Sequence, residues 1–229
     1  MMRYLLYLLL ILIPLQMDAK KKDTRQRVAL ETNKGTIVVA LSDLTPLHRD
    51  NFIKLTQEGF FDGLLFHRVI EDFMIQGGDP DSKEAPTNKR LGEGGPNYTL
   101  PAEIHVPELY HHRGALAAAR EGDDVNPERR SSGSQFYIVW GKTFSQRTIA
   151  EAQAQLDQMT AGEIRLTPDQ CVDYETRGGT PHLDGQYTVF GEVVEGLHLI
   201  KAIQKVKTDR NDRPIEDVKI RKASLVKIK

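Results

Sequence analysis

Apolar and polar residues alternate over several short runs of the chain, a pattern that is typical of half-buried β-strands. The first two runs, 28–30 and 36–41, flank the turn Asn33-Lys34-Gly35 and predict a strand, a turn and a second strand. Loops rich in Gly, Pro and charged residues separate the further predicted strands at 64–70, 73–77, 114–119, 134–140, 187–194 and 218–228. Many short strands with few helices favour a closed barrel or a sandwich.

Two helices are predicted at the ends of this architecture. The first spans 46–58, because Thr45 is a good N-cap and Pro46 suits the first helical turn. Its apolar residues can share one buried face: Leu47, Phe52 and Leu55. The second helix is predicted at 197–205, and the two helices would close the openings of a barrel.

A helical excursion is predicted at 145–180, between two of the strands. Apolar residues recur there at helical spacing: Ile149, Ala152, Leu156 and Met159. A second short helix begins at Thr167-Pro168, where Gln170 completes a capping-box pattern. The sequence leaves open whether this insertion sets the choice of partner or braces a loop.

The composition indicates a single soluble domain, since the 229 residues are 39% hydrophobic and 28% charged. Lys and Arg number 31 against 32 Asp and Glu, so the chain has no excess of positive charge with which to bind nucleic acid. Cys171 is the single cysteine, which excludes an intramolecular disulfide. We expect a monomer that uses no metal and no other cofactor.

The first 19 residues have the character of an export signal. Arg3 precedes the apolar run Leu5–Leu15, which is too short for an ordinary membrane span. Met17 makes a poor cleavage site, so the segment is either a removed signal peptide or a retained anchor. We therefore expect an exported protein, periplasmic or membrane-associated, rather than a cytoplasmic one. The chain is thus divided into a signal or anchor at 1–19, a polar linker at 20–27 and one domain at 28–229.

Two familiar kinds of reactive site are disfavoured by residue spacing. The run Ser131–Gln135 lacks the G-x-S-x-G pattern of a serine nucleophile, and a loop that enters a strand explains it better. The histidines His105, His111 and His112 match no metal-ligand spacing, so we interpret them as surface or core residues.

Arg68 is the residue that asks for an explanation. Alternation along a strand at 64–70 would place it on one face with Phe66 and Ile70, and an unpaired guanidinium is costly to bury among apolar groups. Either Arg68 forms a structural ion pair, or this face is a groove in which the guanidinium meets a substrate. Alternation also pairs Met74 with Gln76, and Gln135 with Tyr137, on single faces. Amides, an arginine and apolar walls suit a peptide bound in a shallow pocket.

Four motifs carry a resemblance to a known family. The run FHRVIEDFMIQGGDP (66–80) resembles the signature of the cyclophilins, which are peptidyl-prolyl cis-trans isomerases. The similarity continues, in order, in GALAAAR (114–120), SGSQFYIV (132–139) and LDGQYTVFGEVVEG (183–196). It covers residues 28–228 apart from the 145–180 insertion.

The resemblance implies a mainly β fold: a closed eight-stranded antiparallel β-barrel capped by two helices, with a groove on its outer surface. It implies that Arg68 is the catalytic arginine and that Gln76 and Gln135 hold the substrate backbone. The remaining implied site residues surround the proline and the residue before it: Phe73, Met74, Ala119, Arg120, Tyr137, His182, Leu183 and Tyr187. The partners would be proline-containing peptides and unfolded or folding proteins, with no nucleic acid.

Several positions depart from the family pattern. Tyr187 stands where many cyclophilins have histidine, and His182 stands where the best-known members have a tryptophan that contributes to cyclosporin binding. We therefore expect weak cyclosporin binding with catalysis largely retained. Arg120 replaces a common asparagine, and Tyr137 puts a polar tip near the proline pocket. The alternative function is a non-catalytic proline-peptide-binding or chaperone module that uses the same groove.

Overall fold

The structure is a computed structural model that describes residues 23–227. Within that range the chain forms four α-helices: α1 (Pro46–Gln57), α2 (Gln146–Thr160), α3 (Pro168–Thr176) and α4 (Leu197–Ile203). Across the same residues it forms ten β-strands: β1 (Arg27–Thr32), β2 (Gly35–Leu41), β3 (Arg68–Ile70), β4 (Met74–Gly77), β5 (Thr99–Leu100), β6 (Ala115–Ala118), β7 (Ser131–Ser132), β8 (Phe136–Val139), β9 (Val189–Glu195) and β10 (Ile220–Val226).

Eight of these strands form one curled antiparallel sheet in the order β10-β1-β2-β9-β6-β8-β4-β3. The mainly β prediction is therefore confirmed. The two outermost strands, β10 and β3, do not pair with each other along their length. The residues that precede them do meet, since the amide of Phe66 donates to Val218 and that of Ile220 donates to Leu64, both at 2.8 Å. Full closure of the barrel stays a prediction.

One small element has no counterpart among the predicted strands. The two-residue strands β5 and β7 pair into a separate antiparallel ribbon, in which Thr99 lies opposite Ser132. Strands this short carry no alternation that a sequence pattern could detect.

The core fills the concave side of the curled sheet. Along β8, Phe136 and Ile138 point into it, while Tyr137 and Val139 belong to a second apolar cluster on the outer side. The expected grouping of Phe66 with Arg68 is wrong, because Phe66 is fully buried in the core. The strand begins only at Arg68, so the alternation does not extend back across His67.

Helix α1 begins as predicted but is capped differently. The Thr45 side chain makes no capping hydrogen bond. The carboxylate of Glu103 accepts the backbone amides of Leu47 and His48 instead, at 3.1 and 3.0 Å. Leu47, which was predicted to be buried, is half-exposed. His48 is buried in its stead, since residues 48, 52 and 55 lie on one helical face.

Helices α2 and α3 occupy the predicted helical excursion. Each begins with a capping box, formed by Ser145 with Thr148 and by Thr167 with Gln170. Met159 is half-exposed, unlike the other three residues of the predicted apolar face. After α3 the chain returns to where it left, because the amide of Gly179 donates to the carbonyl of Lys142 at 2.9 Å. The status of 145–180 as an insertion relative to the family stays a prediction.

The predicted hydrophobic segment 1–19 lies outside the described residues. Strand β1 begins at Arg27, the last residue of the predicted linker, and Arg25 already forms an ion pair with Glu192 of β9 at 2.9 Å. No helix within residues 23–227 is both long enough and apolar enough to cross a membrane.

Candidate functional site

A cavity of about 190 Å³ opens on the outer face of the curled sheet. Strands β3, β4 and β8 and the residues directly after β6 supply its floor and one side, and the short 3-10 helix Pro181–Leu183 supplies part of the opposite wall. The following residues line this groove cavity: Arg68, Phe73, Met74, Gln76, Ala119, Arg120, Tyr137, Leu183 and Tyr187. All nine are among the eleven site residues that the sequence analysis named, and the fold brings them together from four separate motifs.

Strand alternation explains why these side chains share one surface. On β4, Met74 and Gln76 point outward while Ile75 is buried in the core. On β8, which pairs with β4, Tyr137 lies directly opposite Gln76. Arg68 lies opposite Gln76 on the other side, in β3. The three strands therefore present a row of outward side chains across the groove.

Hydrogen bonds hold the polar part of this row. Nη1 of Arg68 donates to Oε1 of Gln76 at 3.3 Å, and Nε2 of Gln76 donates to Oε1 of Gln135 at 2.9 Å. The amide of Gln135 in turn donates to the carbonyls of Gly92 and Gly94, at 2.9 and 2.7 Å. The side chain that directly orients the arginine is thus itself fixed by a bonded neighbour.

Gln135 does not line the groove cavity. It is 6% exposed, and it borders an adjoining cavity of about 760 Å³ beneath the Gly92–Pro96 loop. Its amide is engaged with Gln76 and with that loop, so in this structure Gln135 positions Gln76 rather than facing the groove cavity.

Arg68 also has a carboxylate neighbour, as one of the two interpretations of its charge required. Its Nε lies 3.6 Å from Oδ2 of Asp212, but the two side chains are 42% and 44% exposed. An ion pair this exposed contributes at most about 1 kcal/mol to stability. The ion pair therefore does not account for the arginine by itself, and the guanidinium remains at the rim of an open cavity.

The far wall is braced by Arg120. Its guanidinium lies 4.4 Å from the centre of the Tyr187 ring, and its Nε donates to the carbonyl of Gln186 at 2.9 Å. Arg120 also pairs with Asp123, and this hydrogen bond holds the pKa of the Asp123 carboxyl below its usual value. Arg120 thus lines the cavity through its stacking on Tyr187 while its charge is met by Asp123.

His182 is the second named residue that does not line the cavity. It stands behind Phe73, with the two rings stacked at 5.9 Å between centroids. Because it supports Phe73, its effect on a ligand in the groove cavity is indirect.

Residues beneath the floor were missed by sequence reasoning. The hydroxyl of Tyr137 lies 2.9 Å from Nε2 of His111, a residue interpreted only as surface or core. Asp184 and Tyr174 continue this contact away from the cavity. The available signal was the polar tip of Tyr137, since a buried phenol needs a hydrogen-bond partner.

Within residues 23–227, the other histidines and the acidic residues do not assemble into a metal site. His105 is exposed and His111 is buried, in keeping with their interpretation as surface and core residues. Among residues 23–227, no three His, Cys, Asp or Glu side chains lie close enough to hold a metal ion.

Comparisons with known proteins identify the family that the chain matches. The family model described as cyclophilin type peptidyl-prolyl cis-trans isomerase/CLD matches residues 27–225. A Staphylococcus epidermidis protein named "Putative peptidyl-prolyl cis-trans isomerase" is 34% identical over 209 residues, which cover 90% of this chain and 94% of that protein. A Staphylococcus aureus protein of the same name is 34% identical over 212 residues, with the same two coverages.

Solved structures show the same fold. A Cryptosporidium parvum cyclophilin type peptidyl-prolyl cis-trans isomerase superposes with a TM-score of 0.65 at 23% identity, covering 90% of this chain and 99% of its own. The structure of that protein in the presence of the dipeptide Ala-Pro gives a TM-score of 0.61 at 22% identity, with coverages of 89% and 100%.

Proposed function

The chain belongs to the cyclophilin-type peptidyl-prolyl cis-trans isomerase family and is an isomerase, and we propose that it accelerates rotation about X–Pro bonds by gripping proline in the groove cavity beside Arg68. Unaided, this rotation crosses a barrier of roughly 18–20 kcal/mol and takes tens to hundreds of seconds. No covalent bond breaks, so the protein needs only to stabilise the twisted imide.

Arg68 supplies the electrostatic part of this mechanism. When the imide twists, the prolyl nitrogen loses resonance with the carbonyl and regains a localised lone pair. A guanidinium N–H that donates to this nitrogen binds the transition state better than the planar ground state, so the contact counts toward rate. Charge-assisted hydrogen bonds contribute about 1.5–3 kcal/mol, which corresponds to one or two decades of rate.

The rest of the acceleration comes from restraint. Phe73, Met74 and Leu183 offer apolar surface to the proline ring, and the Tyr187 ring offers a wall. A ring held on this surface leaves one flank of the imide free to turn while the other is bound. The observation that carries the proposal is the half-exposed guanidinium of Arg68, held by Gln76 at the edge of this apolar cavity.

The wider biological setting is part of the same proposal. The substrates are proline-containing peptides and unfolded or folding proteins, and the Ala-Pro dipeptide present with the Cryptosporidium relative supports this ligand class. We further propose a monomer that acts outside the cytoplasm without a cofactor and without nucleic acid. Closure of the sheet into a barrel is supported by the hydrogen bonds between residues 64–66 and 218–220.

Replacement of Arg68 tests the mechanism. We expect Arg68→Ala to lower kcat/KM for an Ala-Pro peptide at least about tenfold, the least that one charge-assisted hydrogen bond would supply. Arg68→Lys should restore little, since a flexible ammonium lacks the planar fork that Gln76 holds. NMR exchange on the peptide measures the rates, and chemical denaturation checks that the variants stay folded.

Asp212→Asn is the matched control, because it removes the charged neighbour of Arg68 and leaves the guanidinium in place. It should retain kcat/KM within about threefold, as expected for an exposed pair. If Arg68→Ala isomerises the peptide at the parental rate, Arg68 is not the catalytic group. If the parent binds proline peptides without any turnover, the non-catalytic binding module is the correct function.

A further inference from the structure

A chain of buried hydrogen bonds leads from the floor of the groove cavity to helix α3. Tyr137 meets His111 through its hydroxyl, as described above, and Nδ1 of His111 lies 2.9 Å from Oδ1 of Asp184. The hydroxyl of Tyr174, in α3, donates to Oδ2 of Asp184 at 2.7 Å. Each of the four residues is at most 5% exposed. Water therefore does not compete with these bonds, and each of them is worth more than it would be at the surface.

The donors and acceptors along this chain give the Tyr137 ring one orientation. Asp184 also accepts the backbone amide of His111 at 2.8 Å, so three donors converge on its carboxylate. In the neutral tautomer of His111 that donates from Nδ1 to Asp184, Nε2 is the acceptor and the Tyr137 hydroxyl donates to it. Burial raises the pKa of Tyr137 well above its usual value, which keeps the proton on that hydroxyl.

The residue that carries this carboxylate also belongs to the segment that forms the far wall. Asp184 directly follows Leu183, which lines the cavity, and its amide donates to the carbonyl of Pro181 to close the 3-10 helix. Three residues later, the Tyr187 ring packs edge-on against the Tyr137 ring, with 6.1 Å between their centroids. A displacement of Asp184 would therefore shift both the floor and the wall of the cavity.

The helical segment 145–180 packs tightly against the residues on either side of Asp184 in the hydrogen-bonded chain and in the sequence. At Gly179 a Cβ atom would come within 2.7 Å of the Tyr174 ring and would also collide with the carbonyl of His111. The amide of Thr180 donates to that same carbonyl at 2.9 Å. Just after α2, Ile164 packs against the backbone of Gly185, where any Cβ would overlap its side chain. These contacts connect the segment closely to His111 and to residues 181–185.

We propose that Tyr174, Asp184 and His111 are positioning residues for the proline cavity, and that the helical segment 145–180 acts on the isomerisation through them. None of the three lines the cavity. This inference rests on the proposed function, because the isomerisation of a proline peptide is the reaction by which the positioning role is measured. It assigns the helical segment a role in holding the floor and wall, in preference to a role in partner choice.

Tyr174→Phe isolates the hydroxyl at the far end of the chain. It keeps the ring contacts with Tyr110 and Phe144 and leaves Oδ2 of Asp184 without its donor. We expect KM for an Ala-Pro peptide to rise about fivefold, within the range for mutations that act through a network of contacts. The value of kcat should change less, because the variant loosens the surface that holds the proline ring but leaves Arg68 and its contact with Gln76 in place.

Tyr110→Phe is the matched control. It also removes one phenol hydroxyl beside α3, but that hydroxyl donates to Asp173 and lies outside the chain that ends at Tyr137. Its KM should stay within about twofold of the parental value. If Tyr174→Phe and Tyr110→Phe change KM equally, the proposal is wrong.

A double-mutant cycle tests whether the effect travels through His111. In a Tyr137→Phe background the link to the floor is already cut, so Tyr174→Phe should raise KM by less than half as much as in the parent. An equal fold-change in the two backgrounds would show that Tyr174 does not act through His111, and it would overturn the proposal. If Tyr174→Phe does not fold, as judged by circular dichroism, Asp184→Asn is measured in the same cycle with the same expected outcomes.

The parent and Arg68→Ala are assayed first on the same peptide. Absence of turnover in the parent would overturn the proposed function. The positioning role would then be read from peptide titration by NMR, in which the Tyr174→Phe variant should bind about fivefold more weakly than the Tyr110→Phe variant. A parent that turns over, together with an unchanged Tyr174→Phe, would overturn the positioning role alone.

Discussion

The two faces of strand β8 have different surroundings: one faces the apolar core and the other faces the groove cavity. Phe136, on the concave face, meets the rings of Phe52 and Phe61 edge-on, at 5.4 and 5.6 Å between centroids. Tyr137, its neighbour on the outer face, meets His111 through a hydrogen bond and forms part of the groove cavity. The comparison teaches that the core and the proposed catalytic groove lie on opposite sides of the same four residues, so that mutation can separate them.

The two faces also use different forces. The core is filled by carbon atoms whose packing is non-directional. The outer face contains polar side chains in two bonded chains, one from Arg68 through Gln76 to Gln135 and one from Tyr137 through His111 to Asp184. Directional bonds fix the orientation of a side chain more closely than apolar contact does, and catalysis depends on such orientation.

Truncation of the core side chain should have the largest effect on stability. We expect Phe136→Ala to lower the free energy of unfolding by about 3–5 kcal/mol, because it leaves a cavity among several aromatic rings. Tyr137→Phe should lower it by only about 1–3 kcal/mol, the cost of leaving His111 without its donor. Urea unfolding of the two variants measures the difference. Equal losses would show that the two faces are not separable.

Protonation of His67 should have an effect of intermediate size. Burial lowers the pKa of His67 to about 4, and Asp79 opposes this only in part. Between pH 6.5 and pH 4 the unfolded chain therefore binds a proton that the folded chain does not, and stability is lost as the pH falls. The loss is about 1.4 kcal/mol per pH unit, or roughly 3 kcal/mol over the whole window.

The difference between the parent and His67→Gln isolates this term from the titration of carboxylates. The variant should lose less stability than the parent as the pH falls from 6.5 to 4 in urea unfolding experiments. Parallel stability curves would show that His67 is protonated in the folded protein. The buried position of His67, next to β3, would then tolerate a positive charge. That result would weaken the contrast between an apolar inner face and a polar outer face.

Substitution at His182 should have the smallest effect on the fold and a measurable effect on the groove. The family resemblance assigns cyclosporin affinity partly to a tryptophan at this position, and His182 stacks on Phe73 behind the cavity wall. We expect His182→Trp to strengthen cyclosporin binding about tenfold, or about 1.4 kcal/mol, because the larger ring would make more contact with Phe73 and hold it more firmly in the cavity wall. Unfolding by urea should be unchanged. Tight binding by the parent in a fluorescence titration would contradict the expectation.

Alternation and capping signals predicted most of the strands and all four helices, because these signals are local. The errors arose where a distant residue decided the outcome. Glu103, from a loop, caps α1 in place of Thr45, and the end of pairing at Arg68 returns Phe66 to the core. Neither contact leaves a trace in the spacing of nearby residues.

The candidate site was predictable to the extent that its residues fall in motifs. Nine of the eleven named residues line one cavity. His182 and Gln135 lie behind neighbours that do line it, a distinction that needs three-dimensional packing. The hydrogen bonds that lead from Tyr137 to Tyr174 connect residues far apart in the sequence, and no local pattern predicts them.

The pairing of Lys142 with Gly179 gives the helical segment a shared point of departure and return. A chain that leaves and re-enters at neighbouring positions can be shortened to a tight turn, or exchanged for another unit, without rerouting a single strand. Loss of α2 and α3 would leave every strand in place, but it would remove the Tyr174 donor from Asp184. The two helices could be transplanted onto a related scaffold, provided that the scaffold has an aspartate at the position of Asp184 to accept the hydrogen bond of Tyr174.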